Sequence, residues 1–231
     1  MSAPMGQRLW LAWSSGKDSA WALHVLRQDP RYQVDGLFCT VNREHDRVSL
    51  HGVRVSLLRQ QAESAGLPLR IVGIPSPCSD AGYADIMAAL VETAAGAGVE
   101  GFAFGDLLLE DVRRYREARL RGTGIRALFP LWGRSTASLA RTMLAGGLKA
   151  RLTCLDPGRL PERLAGREYD ATLLDELPAT VDPCGENGEF HSIAYDGPMF
   201  RWPIAMRRGE TLRRDGFVYT DWLPVAGAAA G

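Results

Sequence analysis

The sequence predicts an α/β protein: a Rossmann-like parallel sheet with helices on both faces, followed by a smaller C-terminal α+β domain. Three observations predict it. Up to about residue 130, short apolar runs alternate with segments of helical apolar period, the signature of βαβ units. Beyond that point the alternation gives way to turn-rich sequence. Near the end, Asp215-Gly216, a favoured hairpin turn pair, separates two strand-like segments.

Arg8–Trp13 (RLWLAW) reads as the first strand, and the periodicity after it predicts a helix from Asp18 to Gln28. Val34–Val41 is a second strand, rich in β-branched and aromatic residues. A helical pattern follows and ends at Gly66, a C-cap residue type. Leu69–Ile74 is the third strand, stopped by Pro75 and Pro77. A helix over Tyr83–Ala95 and a fourth strand over Glu100–Asp106 complete the alternating part. Later come a helix (Ser135–Ala145), a strand (LKARLTCL), a helical reading of PERLAGREYDATLLDEL and the hairpin; residues 226–231 read as a frayed end. The expected domains are 1–134 and 135–231.

Composition narrows the function classes. Hydrophobic content of 46% and charged content of 23% are those of a globular protein of 231 residues. Lys+Arg and Asp+Glu both number 27, so no net field draws in nucleic acid or a membrane surface. No apolar run approaches the length of a membrane span. Cys39, Cys78, Cys154 and Cys184 form no paired motif, which points to a reducing, cytoplasmic setting without a zinc site or disulfide framework. A homodimer is compatible with the sequence.

Parallel sheets bind ligands at the carboxyl ends of their strands, and two loops belong at that edge. One is Ser14-Ser15-Gly16-Lys17-Asp18-Ser19; the other is Gly105-Asp106. A loop entering a helix offers unpaired N–H groups and the positive end of the dipole, and Gly16 permits close approach. Ser14 and Ser19 add hydroxyls, Lys17 adds a full charge, and Asp18 can cap the helix or help hold Mg²⁺. The spacing is not that of a Walker A loop. A ligand-free serine- and aspartate-rich cap is the plain alternative.

Further along, ENGEFH places Glu186, Asn187, Glu189 and His191 within six residues. If a strand starts at Glu189, Glu189 and His191 share a face and can serve as acid and base or bind an amine. A polar turn is the alternative. Arg116 can meet a carboxylate bidentately, or belong to a solvated arginine face with Glu110 and Glu117. Trp132 is either core or pocket wall, and His51 either a polar cap or a ligand contact.

SSGKDS after a strand resembles the S-G-G-x-D-S pyrophosphate loop of the ATP pyrophosphatases, the adenine nucleotide alpha-hydrolase-like superfamily; Ser15 stands where glycine is commonest. HGVRVSLLRQQAESAGLPL, EGFAFGDLLLEDVRRYREARL, FPLW and CGENGEFHS then follow in the order of the diphthine–ammonia ligase family. The resemblance covers nearly the whole chain. It implies an ATP-dependent ligase that cleaves the α–β bond of ATP, joining a carboxylate to ammonia or an amine through an adenylated intermediate, with ATP and Mg²⁺ as cofactors. On this basis Ser14, Ser15, Gly16, Lys17, Asp18, Ser19, Gly105 and Asp106 bind the nucleotide. Lys17, Asp18, Glu186, Glu189 and His191 are the catalytic candidates, and Arg116, Trp132 and Asn187 the substrate contacts; Asp18 is the Mg²⁺ candidate. Where the family's diphthine-amidating members resemble E-G-G-E-[FY]-E, this chain has Asn187 and His191, which implies a different acid. A sulfur-transfer enzyme of the same superfamily and a non-catalytic ATP-binding module are the rivals. The first wants paired cysteines, the second no acidic motif.

Overall fold

A computed structural model describes residues 6–225. Strand β1 (Gln7–Ala12) is followed by α1 (Lys17–Gln28), β2 (Tyr32–Asn42) and the two-residue β3 (Arg47–Val48). Then come α2 (Val55–Ala65), β4 (Leu69–Ile74), α3 (Asp80–Gly96), β5 (Gly101–Ala103), α4 (Glu110–Leu120) and β6 (Arg126–Leu128). The parallel strands lie in the order β4-β2-β1-β5-β6, with β3 antiparallel to the end of β2. Chain order reverses direction between β1 and β5. The loops after these two strands therefore share the switch point, where such sheets bind ligands.

A second sheet comes from the later sequence. After α5 (Thr136–Ala145), strands β7 (Lys149–Leu155), β8 (Phe190–Asp196), β9 (Met206–Arg214) and β10 (Phe217–Pro224) pair antiparallel in the order β8-β7-β10-β9. The β9–β10 hairpin turns at Asp215 (φ 52°) and Gly216 (φ 84°), the left-handed pair a tight hairpin needs. Between β7 and β8 the long helix expected over residues 161–177 is absent. A single 3-10 turn (Glu162–Leu164) and the short α6 (Ala171–Glu176) stand there instead, separated by Gly166, which adopts φ 70°. The helical period broke on that glycine and on the Asp170 cap of α6, whose side chain accepts from Leu173 N–H at 2.7 Å.

Helices α1 and α2 close one face of the first sheet with the expected apolar stripes, Ala20, Trp21, Leu23 and Leu26 on one and Leu57, Leu58 and Ala62 on the other. Gly66 ends α2 at φ 67°, and Leu67 N–H returns to Ala62 O at 3.0 Å, a Schellman closure. This buried core continues without a break into the second sheet through Leu152, Leu155, Phe190 and Ile193. No helix among the described residues is long and apolar enough to cross a membrane.

Polar bonds fix the joint between the sheets. Gln61 is fully buried on α2. Its Nε2 donates to Ser15 O (3.0 Å) and Ala194 O (2.6 Å), while its Oε1 accepts from Trp13 Nε1 (3.0 Å). Ala194 N–H also donates to Ser15 O at 2.9 Å, so the loop after β1 hangs on β8. At the other end of the joint, Asp221 on β10 takes Arg47 at 2.9 Å and Arg54 at 2.6 Å. Replacing Gln61 by Leu removes three buried hydrogen bonds at near-constant volume. It should lower stability by about 3 kcal/mol or more, read as a fall in the denaturation midpoint; an unchanged midpoint would contradict this role for Gln61.

Candidate active site

The loop Ser14–Ser19 leaves β1 as a turn and enters α1 at Gly16, which supplies no side-chain cap. Ser15 carries φ 69°, a left-handed conformation costly for any residue but glycine, which is why glycine suits this position. Its hydroxyl is buried without a hydrogen-bond partner among the described residues. Ser14 Oγ instead accepts from Gly16 N–H (3.3 Å) and meets Ser19 Oγ at 3.2 Å. No acceptor from another residue among the described residues meets the N–H groups of Asp18 and Ser19 in the first turn of α1, and the Asp18 carboxylate lies toward its own N–H. An orphaned buried hydroxyl and free helix-start N–H groups fit an anion such as phosphate.

Lys17 does not project into open space. Its side chain is buried, and Nζ donates to both Asp18 oxygens (3.0 and 2.8 Å) and to Cys184 O. The aromatic rings of Tyr169 and Phe190 flank it at 5.5 and 5.4 Å. Burial opposes the ammonium, but the Asp18 carboxylate outweighs it and holds Lys17 as a cation. The Lys17 N–H also donates to Ser192 Oγ at 3.3 Å, a second stitch to β8. Gly105 lies against α1: a Cβ there would stand 2.9 Å from Ser19 N, so the two switch-point loops touch.

The residues of ENGEFH divide sharply. The Glu189 carboxylate is buried and accepts from Asp182 N–H (3.0 Å), Asn187 N–H (2.9 Å) and Asn187 Nδ2 (3.1 Å). Burial works against its charge, yet these donors hold it below the usual carboxylate range. It closes its own turn, and Asn187 serves that turn too, so neither side chain faces the loop as a free group. Glu186 reaches across to the other switch-point loop, accepting from Leu107 N–H (2.9 Å) and Leu108 N–H (3.1 Å). Burial raises its carboxyl against those two donors.

His191, the second residue of β8, stacks on His51 with centroids 4.6 Å apart. His51 Nδ1 lies 3.1 Å from Ser192 O, so that nitrogen carries the proton and Nε2 keeps its lone pair. Burial, reinforced by His191, lowers His51 to about 3, and burial with the Lys17 charge lowers His191 to about 4. His51 also covers the loop, since a Cβ on Gly16 would meet its Cε1 at 2.7 Å. The sequence left His51 open between cap and contact; the structure sets it beside His191.

The remaining candidates sit beside this cluster. Arg116 pairs with Asp106 at 2.5 and 3.1 Å and lies over Phe104, so both residues are engaged with one another. Trp132 packs on Phe129 and Arg113, and the following Gly133 N–H donates to Leu107 O at 2.9 Å. Gln61, Cys184 O and Ser192 were not singled out in the sequence. Only Gln61 carried a signal, as a long polar residue among Leu57, Leu58, Ala62 and Ala65 on the buried helix face.

Two family models match this chain. That of the diphthamide synthase N-terminal domain matches residues 7–127, and that of the diphthamide synthase C-terminal domain matches residues 135–221. The chain is 25% identical to a diphthine–ammonia ligase of Mus musculus over 236 residues, which span 91% of this chain and 87% of the relative. It is likewise 25% identical to a diphthine–ammonia ligase of Rattus norvegicus over 242 residues, spanning 93% and 89% of the two chains. With both halves matched in order, the chain belongs to the diphthamide synthase family.

Proposed function

We propose that this chain is an ATP-dependent, amide-forming ligase that releases AMP and pyrophosphate and acts on an acid other than diphthine. The observation that carries the reading is the joint between the Ser14–Ser19 loop and the turn before β8. Lys17 Nζ holds Cys184 O, Ala194 N–H holds Ser15 O, and Glu186 holds the N–H groups after Gly105-Asp106. Phosphate-type loop and acidic turn thus form one rigid cluster, as a reaction with two ligands at one centre requires.

In this reading the pyrophosphate part of ATP lies on the N–H groups of Asp18 and Ser19, with the hydroxyls of Ser14, Ser15 and Ser19 around it. Lys17 acts as a buried fixed charge that orients Asp18, and Gly105 lets the second switch-point loop lie directly against the first. Mg²⁺ bound with ATP would neutralise phosphate charge; Asp18 is the loop carboxylate that would hold it, sharing its oxygens with Lys17 Nζ. The acid's carboxylate oxygen attacks the α-phosphorus as pyrophosphate leaves, giving an acyl adenylate. The amine then attacks the acyl carbon as AMP leaves, and its proton passes to a base. His191 and His51, lowered to about 4 and about 3, are weak bases that stay neutral at physiological pH, whereas burial raises the Glu186 carboxyl toward the range a proton acceptor needs. Glu186 carries the acceptor role that the sequence divided between two glutamates, because Glu189 is spent on its own turn. A cytoplasmic setting accompanies this reading, in keeping with four free cysteines.

The decisive experiment supplies ATP, Mg²⁺, ammonia and a panel of carboxylic acids. AMP and pyrophosphate should appear in equal amounts with one class of acid; ATP binding without AMP from any pair would indicate a nucleotide-binding module. Glu186→Gln keeps the acceptor toward Leu107 and Leu108, so turnover should fall about 100-fold while ATP affinity, read by calorimetry, stays near wild type. Lys17→Met leaves Asp18 and Cys184 O buried without their cation. It should cost about 3 kcal/mol or more of stability together with ATP affinity, and loss of affinity alone would return Lys17 to direct phosphate contact. The imidazoles also set an acid limit. The unfolded chain takes up their protons near 6.5, while the folded pair refuses them until about 4 and about 3. Their contribution is therefore complete above pH 6.5 and is lost as pH falls from 6.5 toward about 3. A His51→Gln, His191→Gln double variant should show a flatter stability profile across that window.

A further inference from the structure

The face of the first sheet opposite α1 and α2 is aromatic. Trp10, Phe38, Phe102 and Phe104 pack ring on ring there, with Trp10–Phe102 at 6.2 Å, Phe38–Phe102 at 4.7 Å and Phe38–Phe104 at 6.3 Å. The helices over this face cannot fill the space above it. Helix α3 buries only Leu90 and Ala94, and presents the small side chains of Ala84, Ala88 and Ala95; α4, rich in arginine, buries only Leu120. What remains between the helices and the sheet is a cavity of about 350 Å³, within the size range of small-molecule sites. Phe102 and Phe104 form its floor at 1% and 4% exposure, and Met87 and Val91 stand in its wall. A floor sunk beneath two helices is out of reach of a flat protein surface, which argues for a small molecule rather than a second copy of the chain.

The polar groups of the cavity are few and unequal. Arg116 is neutralised by Asp106. Arg119 lies over the Tyr115 ring and has no carboxylate partner among the described residues. Tyr83 lines the same cavity; burial raises its phenol, Tyr115 adds to that, and Arg116 and Arg119 oppose it, so it remains an O–H donor. Glu92 is nine residues beyond Tyr83, about 13 Å along α3, so it does not neutralise this corner. Thr123 also lines the cavity but donates its hydroxyl to Leu120 O at 2.7 Å. An apolar chamber with one guanidinium free of a carboxylate partner beside the phenols of Tyr83 and Tyr115 matches a molecule with an apolar body and an anionic head.

We propose that this cavity binds an aromatic or hydrocarbon carboxylate, with its body over Phe102 and Phe104 between Met87 and Val91, and its carboxylate at Arg119 and Tyr83. The site is separate from the phosphate-type loop, and the proposal does not depend on the ligase reading because its readout is binding alone.

The test titrates the full chain with 4-phenylbutyrate and decanoate, and with the matched alcohols 4-phenylbutanol and decanol, by calorimetry. At least one carboxylate should bind about ten-fold more tightly than its alcohol, the value of one charge-assisted hydrogen bond. Arg119→Gln should remove most of that preference while the alcohol's affinity holds. Val91→Trp and, separately, Ala88→Phe fill the chamber and should abolish binding of both; two variants guard against one failing to fold, which circular dichroism checks. The proposal is overturned if no carboxylate binds. It is equally overturned if folded, filled variants bind as wild type does, or if light scattering shows a dimer that Val91→Trp dissociates.

Discussion

Gln61 is the constraint on which this molecule turns. A buried amide has to satisfy both its donors and its acceptor, and here it can do so only when three segments meet: the end of β1 at Trp13, the loop carbonyl of Ser15 and the β8 carbonyl of Ala194. Trp13 and Ser15 belong to one stretch of chain, but Gln61 on α2 and Ala194 on β8 are each distant from it in sequence. The phosphate-type loop therefore has its shape because the second sheet is docked, and the docking is held because an α2 side chain reads both. The left-handed backbone at Ser15, expensive in isolation, persists because Gln61 and Ala194 both hold its carbonyl.

Electrostatics in the site follow from one buried cation. An ammonium taken from water is costly unless paired, and Lys17 is paired with Asp18 and a carbonyl and flanked by two rings. That satisfied charge then acts outward. Added to burial, it keeps His191 and His51 neutral at physiological pH, and a neutral stacked pair avoids the repulsion two imidazolium rings would suffer at 4.6 Å. A loop lysine usually suggests a hand held out to phosphate. Here the hand is already closed on the protein, which leaves backbone N–H and hydroxyl groups for the proposed phosphate.

The acidic turn shows a similar division between structure and chemistry. Asn187 donates to Glu189, and Glu189 collects the turn's N–H groups, which fixes the direction in which the chain leaves toward His191. Glu186 points away from that closed unit to the other switch-point loop. Three acidic or amide residues within four positions thus perform two unrelated tasks, one holding the turn and one joining it to the loop after β5.

The sequence by itself determined much of this protein. The alternation of strand and helix, the Gly66 cap, the Asp215-Gly216 turn and the loop Ser14–Ser19 are local matters, set by period, backbone freedom and capping chemistry within a few residues. Local pattern misled once, over residues 161–177, where Gly166 and Asp170 broke a helix that the apolar spacing favoured. Tertiary structure alone decided what the site's polar side chains do. Lys17 turned inward, Glu189 was spent on its turn, Arg116 closed on Asp106, and His51 stacked on a residue 140 positions away. The physical reason is that a charged or polar side chain takes its role from its partners and its burial, and these come from segments distant in the chain.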